Sequence, residues 1–298
     1  MAMGIDKTLN TPAVLVTGAS SQIGFFALPR LVVAGYRVLA LSRKGKPRNY
    51  PDLEQLEWLT DIHQVRADEH CETLLSAGPL ELAQQILSAG KQFRSAVIFS
   101  SSSVTSKQKS ADPAERKQIQ GMLSLESELE SIGTSRALKL VILRPTMIYG
   151  CGLDTNISRL ASWIHRFGFM PVNGKASGLR KPVHADDLAA AAVAALLSKD
   201  PLPRSLFLAG GSTLSYADMV CRIFSALDKP ARLLHLPQWL FVLLVSLSRA
   251  FNPALGINSE MVRRQCTDLV FDDGQARELL AYKPRPFAPS KKDFVRPE

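Results

Sequence analysis

Two glycines, Gly18 and Gly24, enclose a turn of small and polar residues that could hold a phosphate group. The apolar run 13–16 before the turn predicts a buried strand, and the apolar-rich segment 25–34 after it predicts a helix. Small residues let backbone N–H groups approach a pyrophosphate, and a helix N-terminus adds partial positive charge. We therefore predict dinucleotide binding here, with a plain structural turn as the alternative. The residues assigned to the cofactor are Gly18, Ser20, Ser21, Gln22, Ile23 and Gly24.

The second predicted strand, 37–41, ends at Ser42, Arg43 and Lys44, which we also assign to the cofactor. An acidic residue at this place would bind the ribose hydroxyls of NAD, but the first carboxylate after the strand is that of Asp52. A guanidinium can pair with a 2′-phosphate and stack on adenine. We therefore expect NADP(H) rather than NAD(H), with a solvated strand end as the alternative.

Two more stretches of small residues follow predicted strands. Segment 73–79 is a strand that runs into a small turn, which would let a flat nucleotide lie across the strand ends. The apolar strand 96–99 is followed by four serines. Ligands of open α/β sheets bind beyond the carboxyl ends of the strands, so these hydroxyls should face the cleft, unless the serines only cap a helix. From these stretches we assign to the cofactor Ser76, Ala77, Gly78, Ser100 and Ser101.

Predicted strands and helices alternate over the first two-thirds of the chain. This pattern indicates an α/β fold with a Rossmann-type, doubly wound parallel sheet. The last third breaks the alternation and predicts a small C-terminal substrate lobe over the cleft. We expect a single unit over residues 1–298. Its dinucleotide-binding core covers about 12–150, and the chain comes back to this core at 183–210. The substrate lobe is formed by about 151–182 and 211–298.

The charge and cysteine content narrow the function classes. A formal net charge of +9 suits an anionic ligand or surface, but no Lys/Arg-rich block with interleaved aromatics occurs, so we do not expect nucleic-acid binding. Four cysteines lie far apart without CxxC spacing, which predicts reduced thiols in a cytoplasmic protein and neither a metal site nor a disulfide framework. Residues 1–12 lack the apolar core of a signal peptide.

The most apolar stretch of the chain, 236–247, is followed by Arg249 and is too short to span a bilayer. Such a helix could lie on a membrane surface or contact a lipid. The alternative is a buried helix of the substrate lobe. The other expected partners are a small-molecule substrate of unknown identity and a second copy of the chain in a homodimer.

Six segments spread over nearly the whole chain resemble the extended short-chain dehydrogenase/reductase superfamily, in its NAD-dependent epimerase/dehydratase branch. They are TGASSQIG at 17–24, FSSS at 99–102, LRP with IYG within 143–150, PVHADDLA at 182–189, FLAGG at 207–211 and YKP at 282–284.

The resemblance implies roles for particular residues. Arg43 matches the NADP-selecting position, and Asp61 matches a residue that usually contacts adenine. Ser102 matches the catalytic Ser/Thr that hydrogen-bonds the reacting oxygen of the substrate. One departure lies in the glycine-rich loop, where the family normally has Gly at the position of Ser21, although Ser is small enough to fit.

The larger departure concerns the catalytic Tyr-x-x-x-Lys pair of the superfamily, whose Tyr is the acid/base and whose Lys holds the nicotinamide ribose. Segment 106–120 is polar and charged and predicts a surface loop, followed by a helix at about 122–131. Family members often carry Glu four residues beyond the Lys, and Glu130 on this helix fits that position. Counting back then places Glu126 at the Lys and Met122 at the Tyr, and neither can do that chemistry. Nowhere in the sequence is a tyrosine followed four residues later by a lysine.

Two hypotheses therefore stay open. In the first, the chain is an NADP-dependent oxidoreductase or epimerase acting on a nucleotide sugar or another small carbonyl or hydroxyl compound, with a non-standard acid/base. Ser102 and Tyr149 are then the catalytic candidates, Arg180 and His184 the substrate-binding candidates, and Lys181 a further protonatable group. In the second, the chain is a catalytically silent NADP(H)-binding sensor or structural subunit.

Overall fold

The structure, a computed structural model, describes residues 11–65, 71–89, 93–251 and 259–296. The strands are β1 (Ala13–Thr17), β2 (Arg37–Leu41), β3 (Leu56–Leu59), β4 (Thr73–Ser76), β5 (Ser95–Phe99), β6 (Lys139–Pro145), β7 (Ile148–Tyr149), β8 (Met170–Asn173), β9 (Leu179–Arg180), β10 (Val183–His184), β11 (Ser205–Leu208), β12 (Leu214–Ser215) and β13 (Leu233–Leu236). The helices are α1 (Gln22–Val33), α2 (Leu80–Ser88), α3 (Ser103–Ser106), α4 (Pro113–Ser135), α5 (Ile157–Phe167), α6 (Ala185–Leu197), α7 (Tyr216–Ala226), α8 (Gln238–Phe251), α9 (Ser259–Arg264) and α10 (Gly274–Leu279).

Seven strands form one parallel sheet in the order β11-β6-β5-β4-β1-β2-β3. β1 lies between β2 and β4, and the chain changes direction across the sheet at this point. The carboxyl ends of β1, β2, β4 and β5 therefore meet at one edge, the place where open α/β sheets bind ligands. The predicted doubly wound α/β fold is confirmed.

Alternate residues of the strands point to the two faces of the sheet, and each face carries its own core. Val14 and Val16 of β1 pack under α1 and α6. Leu15, from the same strand, packs on the opposite face under α2 and α4. Burial on both faces explains why the sequence shows continuous apolar runs in these strands rather than alternation.

The second lobe has a core of its own, formed by α5, α7 and the strands around them. β8 pairs with β13 in parallel, and β9 pairs with β12 in antiparallel orientation. A bidentate ion pair joins the two parts of the molecule: both guanidinium nitrogens of Arg264 in α9 lie 2.8 Å from the carboxylate of Glu115 in α4. This contact ties the lobe to the helix that crosses the sheet beside β6.

Two predicted segments differ in the structure. The helix expected around 122–131 extends over Pro113–Ser135, because Asp112 accepts a hydrogen bond from the N–H of Ala114 and Pro113 fits the first helical position. The stretch 106–120 is therefore mostly helix rather than loop. Among the described helices, none has the length and hydropathy needed to cross a bilayer.

Candidate functional site

The loop after β1 is packed backbone to backbone against the turn after β4. Gly18 has a φ of +64°, and a Cβ at this residue would lie 2.4 Å from the backbone of Ala77. A Cβ at Gly24 would lie 2.4 Å from the carbonyl oxygen of Gly18. Gly78 lies on the other side of this contact, and a Cβ added to it would lie 3.2 Å from the N of Gly18. The two small-residue turns thus form one tight surface at the carboxyl edge of the sheet, as a pyrophosphate-binding loop requires.

Serine hydroxyls hold these turns in place. Ser21 is the N-cap of α1, and its Oγ accepts a hydrogen bond from the N–H of Gly24 at 3.1 Å. Ser20 shares a 3.0 Å hydrogen bond with Ser42 at the end of β2. Thr17 donates to the Oγ of the fully buried Ser76 at 2.8 Å. Ser21 therefore replaces the usual glycine without loss of the helix start, and Ser76 presents backbone rather than its hydroxyl to the cleft.

The two remaining residues of the first loop point into the protein. Ile23 packs in the core under α1 and is 6% exposed. Gln22 is buried, and its Nε2 donates to the carbonyl oxygen of Gly150 at 2.8 Å. Their side chains serve packing and a loop-to-loop contact, so a ligand at the N-terminus of α1 would meet only their backbone.

Arg43 and Lys44 lie beside this loop, because the N–H of Ala19 donates to the carbonyl of Leu41 at 3.3 Å. Both side chains are exposed, and neither bonds to another residue in the described part of the chain. Asp61 is exposed as well, and one of its carboxylate oxygens accepts from the N–H of His63 at 2.8 Å. Asp61 therefore caps its own short turn.

The serines after β5 stand at the same edge. Ser100 has a buried hydroxyl with no hydrogen-bond partner in the described structure. Ser101 accepts a hydrogen bond from the N–H of Ser103 at 3.1 Å. Ser102 is 8% exposed, and its hydroxyl makes no hydrogen bond within the described chain. A buried hydroxyl without a partner is costly, and together with the glycine surface it fits a polar ligand in this cleft.

Helix α4 offers neither a phenol nor an ammonium at the positions predicted for the catalytic pair. The whole helix is described, it contains no tyrosine, and its one lysine is the exposed Lys117. Met122 packs against the core between α2 and α4. Glu126 is 2% exposed and forms a bidentate pair with Arg144 of β6, at 2.5 and 3.3 Å. Its carboxylate is thus neutralised by a neighbouring strand and does not stand bare against a cofactor.

The catalytic assignment of Tyr149 is not supported. This side chain is 1% exposed in the core of the second lobe, with its ring 5.0 Å from that of His184 and 4.9 Å from that of Phe287. Burial raises the pKa of the phenol, and the charge of Asp293 raises it further. A buried phenol with a raised pKa in an aromatic cluster cannot pass a proton to a substrate in the cleft.

His184 is likewise a structural residue and not a substrate ligand. Its Nδ1 accepts from the N–H of Asp186 at 3.1 Å, so the ring is the N-cap of α6. Because Nδ1 accepts, the proton lies on Nε2, which donates to Asp293 at 3.1 Å. The helix is thus capped by His184 and not by Asp186 or Asp187. Both aspartates lie in its first turn and pair with Arg285.

Arg180 and Lys181 are also engaged. Arg180 is 3% exposed, and its guanidinium donates to the backbone carbonyls of Leu179, Arg264 and Thr267. Lys181 pairs with Asp273 at 2.7 Å. Arg180 therefore clamps the segment after α9 onto β9, which contradicts its assignment to substrate binding. Of the catalytic and substrate candidates taken from the sequence, only Ser102 faces the cleft with its polar group unengaged.

Comparison with known proteins agrees with this architecture. No protein-family model matches the chain. The UDP-glucose 4-epimerase of Vibrio cholerae is 26% identical over 159 residues, which are 53% of this chain and 46% of that epimerase. The match thus covers less than half of the relative's length.

Solved structures match over almost the whole chain. The UDP-glucuronic acid 4-epimerase of Bacillus cereus in complex with NAD has a TM-score of 0.69 at 16% identity and covers 95% of this chain and 97% of its own. The chain therefore has the fold of this epimerase over almost its whole length. The UDP-N-acetylglucosamine 4-epimerase of the same organism has a TM-score of 0.63 at 13% identity and covers 92% of this chain and 91% of its own.

Sequence reasoning missed two kinds of residue. Arg144 was seen only as part of a motif, although a basic residue in an otherwise apolar strand signals a buried carboxylate partner. Asp293 and Phe287, which fix His184 and Tyr149, come from the C-terminal tail about a hundred residues away. Their spacing carries no periodic signal. In the described residues, no group of three or more potential metal ligands occurs.

Proposed function

We propose that this protein is an extended short-chain dehydrogenase/reductase that binds a nicotinamide dinucleotide across the carboxyl edge of its sheet. The observation that carries the proposal is the glycine surface of Gly18, Gly24 and Gly78. A Cβ at Gly18 or Gly24 would lie 2.4 Å from backbone atoms of this surface, and a Cβ at Gly78 would lie 3.2 Å from the N of Gly18. The N-terminus of α1, capped by Ser21, adds partial positive charge for the pyrophosphate. The buried, unpartnered hydroxyl of Ser100 gives a polar contact for a group lying beyond β5.

The preferred form of the cofactor is proposed to be NADP(H). Arg43 and Lys44 are exposed and unpaired among the described residues, next to the loop that would hold the pyrophosphate. The first carboxylate after β2, that of Asp52, is already paired with Lys46. The end of β2 thus presents positive charge and no acceptor for ribose hydroxyls, an arrangement that favours a 2′-phosphate.

Equilibrium titration of NADPH and NADH, followed by tryptophan fluorescence or calorimetry, tests the cofactor. NADPH should bind more tightly, and Arg43→Ala should weaken NADPH by about tenfold or more while leaving NADH nearly unchanged, because a charge-assisted hydrogen bond contributes about 1.5–3 kcal/mol. Arg48→Ala, an exposed arginine in the same loop, is the matched control and should bind both cofactors like the unaltered protein. Equal affinity of the unaltered protein for NADH and NADPH would refute the preference.

The proposed reaction is that of an oxidoreductase or epimerase on a nucleotide sugar or a related carbonyl or hydroxyl compound. The bound nicotinamide supplies hydride transfer. Ser102 would hydrogen-bond the reacting oxygen of the substrate, since its hydroxyl is unengaged at the carboxyl end of β5. The support for this substrate class is the similarity to enzymes named as nucleotide-sugar epimerases.

A second candidate, a catalytically silent dinucleotide-binding protein, is favoured by a separate observation. α4 has no tyrosine, and Glu126 is consumed by its ion pair. Tyr149, His184 and Arg180 are buried in structural contacts. No tyrosine, histidine or lysine assigned to the site from the sequence is left to act as acid/base there.

A turnover assay with UDP-sugars separates the two. The purified protein is incubated with UDP-glucose or UDP-glucuronic acid and NADP⁺, and sugar configuration and cofactor redox state are followed by NMR and absorbance. Product formation that falls by two orders of magnitude or more in Ser102→Ala, but not in Ser103→Ala, supports the enzyme and the role of Ser102. Tight NADPH binding without product or hydride exchange for any UDP-sugar tested would instead support the silent protein.

A further inference from the structure

Two segments of the second lobe are basic and contain no acidic residue. Segment 157–175 covers α5 and β8, and segment 229–251 covers β13 and α8. Each of the two segments therefore carries positive charge without a carboxylate of its own. The Lys and Arg residues of the two segments are Arg159, Arg166, Lys175, Lys229, Arg232 and Arg249.

Helix α8 exposes apolar side chains although one of its sides is packed on the lobe. Phe241 and Val245 form a small core with Val262 of α9. Two residues on another side of the helix, Trp239 and Leu243, are 69% and 48% exposed. From Gln238 to Ser248 the helix has no charged residue at all. Trp239 and Leu243 thus leave apolar side chains of this helix in contact with solvent.

A second exposed apolar group lies at the end of α5. Phe167 and Phe169 are 47% and 36% exposed, and Trp163 packs 4.4 Å from the Phe167 ring. The guanidinium of Arg166 lies over the Phe167 ring at 5.3 Å. Aromatic rings beside a cationic side chain are typical of residues that lie at the lipid headgroups of a bilayer.

The two groups are joined by one small sheet. β8 directly follows Phe169 and pairs in parallel with β13, in which Leu234 is 49% exposed. β13 in turn leads through Pro237 into α8. We name the exposed set Phe167, Phe169, Leu234, Trp239 and Leu243 the lobe face.

We propose that the lobe face docks the protein peripherally onto an anionic lipid bilayer. The exposed apolar side chains would enter the interface. The exposed basic residues Arg159, Arg166, Lys175 and Arg232 would meet lipid phosphates. With 14 residues, α8 is about 21 Å long and would lie in the interface rather than cross it. The inference is independent of the proposed function, because none of these residues belongs to the dinucleotide cleft.

Charge decides between a bilayer and a second copy of the chain. In a twofold dimer the same surface would face itself, so the basic residues of one protomer would meet those of the other without a carboxylate to compensate. An anionic surface, in contrast, complements both the basic residues and the exposed apolar side chains.

Vesicle flotation of the full chain tests the proposal. The protein should float with vesicles of phosphatidylcholine containing about one-third phosphatidylglycerol, and much less with phosphatidylcholine alone or at high salt. Leu243→Glu should lower the bound fraction about tenfold, since it places a carboxylate in the interface. Val33→Glu, at an 88% exposed valine of α1, is the matched control and should bind like the unaltered protein.

Circular dichroism and NADPH binding verify that both variants are folded. Absence of flotation with the anionic vesicles would overturn the proposal, and so would equal loss in Val33→Glu and Leu243→Glu. Light scattering coupled to size exclusion gives the other adverse outcome: a dimer that Leu243→Glu dissociates would show that a second copy covers the lobe face.

Discussion

The ion pair between Glu126 and Arg144 gives a decisive test of what replaced the catalytic pair. If Glu126 is a lost catalytic lysine, Glu126→Lys should be tolerated and should move the site toward the standard chemistry. The structure predicts the opposite. Glu126 is 2% exposed, so the new ammonium would face the Arg144 guanidinium without a counter-charge.

The magnitude follows from the burial of the two partners. Removing one member of a buried pair costs about 3–5 kcal/mol, because the other charge is left without compensation. The Arg144 side chain is 18% exposed and also lies over the ring of Phe207 at 5.8 Å, so the loss should be near the lower limit. We expect Glu126→Gln to lower the free energy of unfolding by about 3 kcal/mol, about two orders of magnitude in the unfolding constant, and Glu126→Lys to lower it further.

Urea unfolding followed by circular dichroism measures these values. Glu130 is the matched control on the same helix, because its contact with Arg204 is 3.6 Å long and largely exposed. Glu130→Gln should change the free energy of unfolding by less than about 1 kcal/mol. Replacing Glu126 and Arg144 together by leucine should recover most of the loss. A cost below about 1 kcal/mol for Glu126→Gln, or a stable and active Glu126→Lys, would refute the structural role.

Two further predictions concern the joint between core and lobe and the glycine surface. Burial raises the pKa of Glu115, but hydrogen bonds from Arg264 outweigh it and hold the pKa at about 2. Because the folded-state pKa of Glu115 lies below its unfolded-state pKa, the ion pair stabilises the protein fully above about pH 5. About 2–3 kcal/mol of the free energy of unfolding should be lost as the pH falls toward 2. In urea unfolding measured at several pH values, Glu115→Gln should flatten this dependence of stability on pH. Gly24→Ala should abolish NADPH binding, since its Cβ would lie 2.4 Å from the carbonyl oxygen of Gly18. Gly121→Ala is the control, because a Cβ at this position of α4 would meet open space. This variant should bind NADPH normally and raise the free energy of unfolding by about 1 kcal/mol. Normal NADPH binding by Gly24→Ala would contradict the tight contact of the two turns.

The architecture of the core could be predicted because it depends on local signals. Apolar runs, small-residue turns and amphipathic segments alternate along the chain, and parallel order follows from that alternation. The glycine contact could be predicted for the same reason: Gly18 and Gly24 are six positions apart, and both are needed by one turn. The predicted helix was shorter than α4 because the first turns of α4 are polar and carry no apolar periodicity. The helix begins where it does because the Asp112 side chain caps it.

The state of the candidate site could not be predicted, since it depends on which side chains meet across the fold. Arg180 and His184 have the chemistry of ligand-binding residues, but two carbonyls and a carboxylate from the C-terminal third of the chain, together with the carbonyl of Leu179, accept their hydrogen bonds. These partners lie 84 to 109 positions away, except for the carbonyl of Leu179. Residue type shows what a side chain can do, and only the fold shows whether its bonding capacity is still free.

The same distinction bears on whether the cofactor reacts. The contacts that would hold a dinucleotide are backbone contacts at glycines and need no particular side chain, so they survive when catalytic side chains change. Proton transfer, in contrast, needs a side chain whose polar atom is not already bonded. Three charged or titratable candidates instead form ion pairs or hydrogen bonds within the protein: Glu126 with Arg144 of β6, Lys181 with Asp273, and His184 with Asp293 of the C-terminal tail. Among the catalytic and substrate-binding candidates taken from the sequence, Ser102 is the described residue whose polar group is still unengaged, so the Ser102→Ala comparison tests the enzyme against the binding protein.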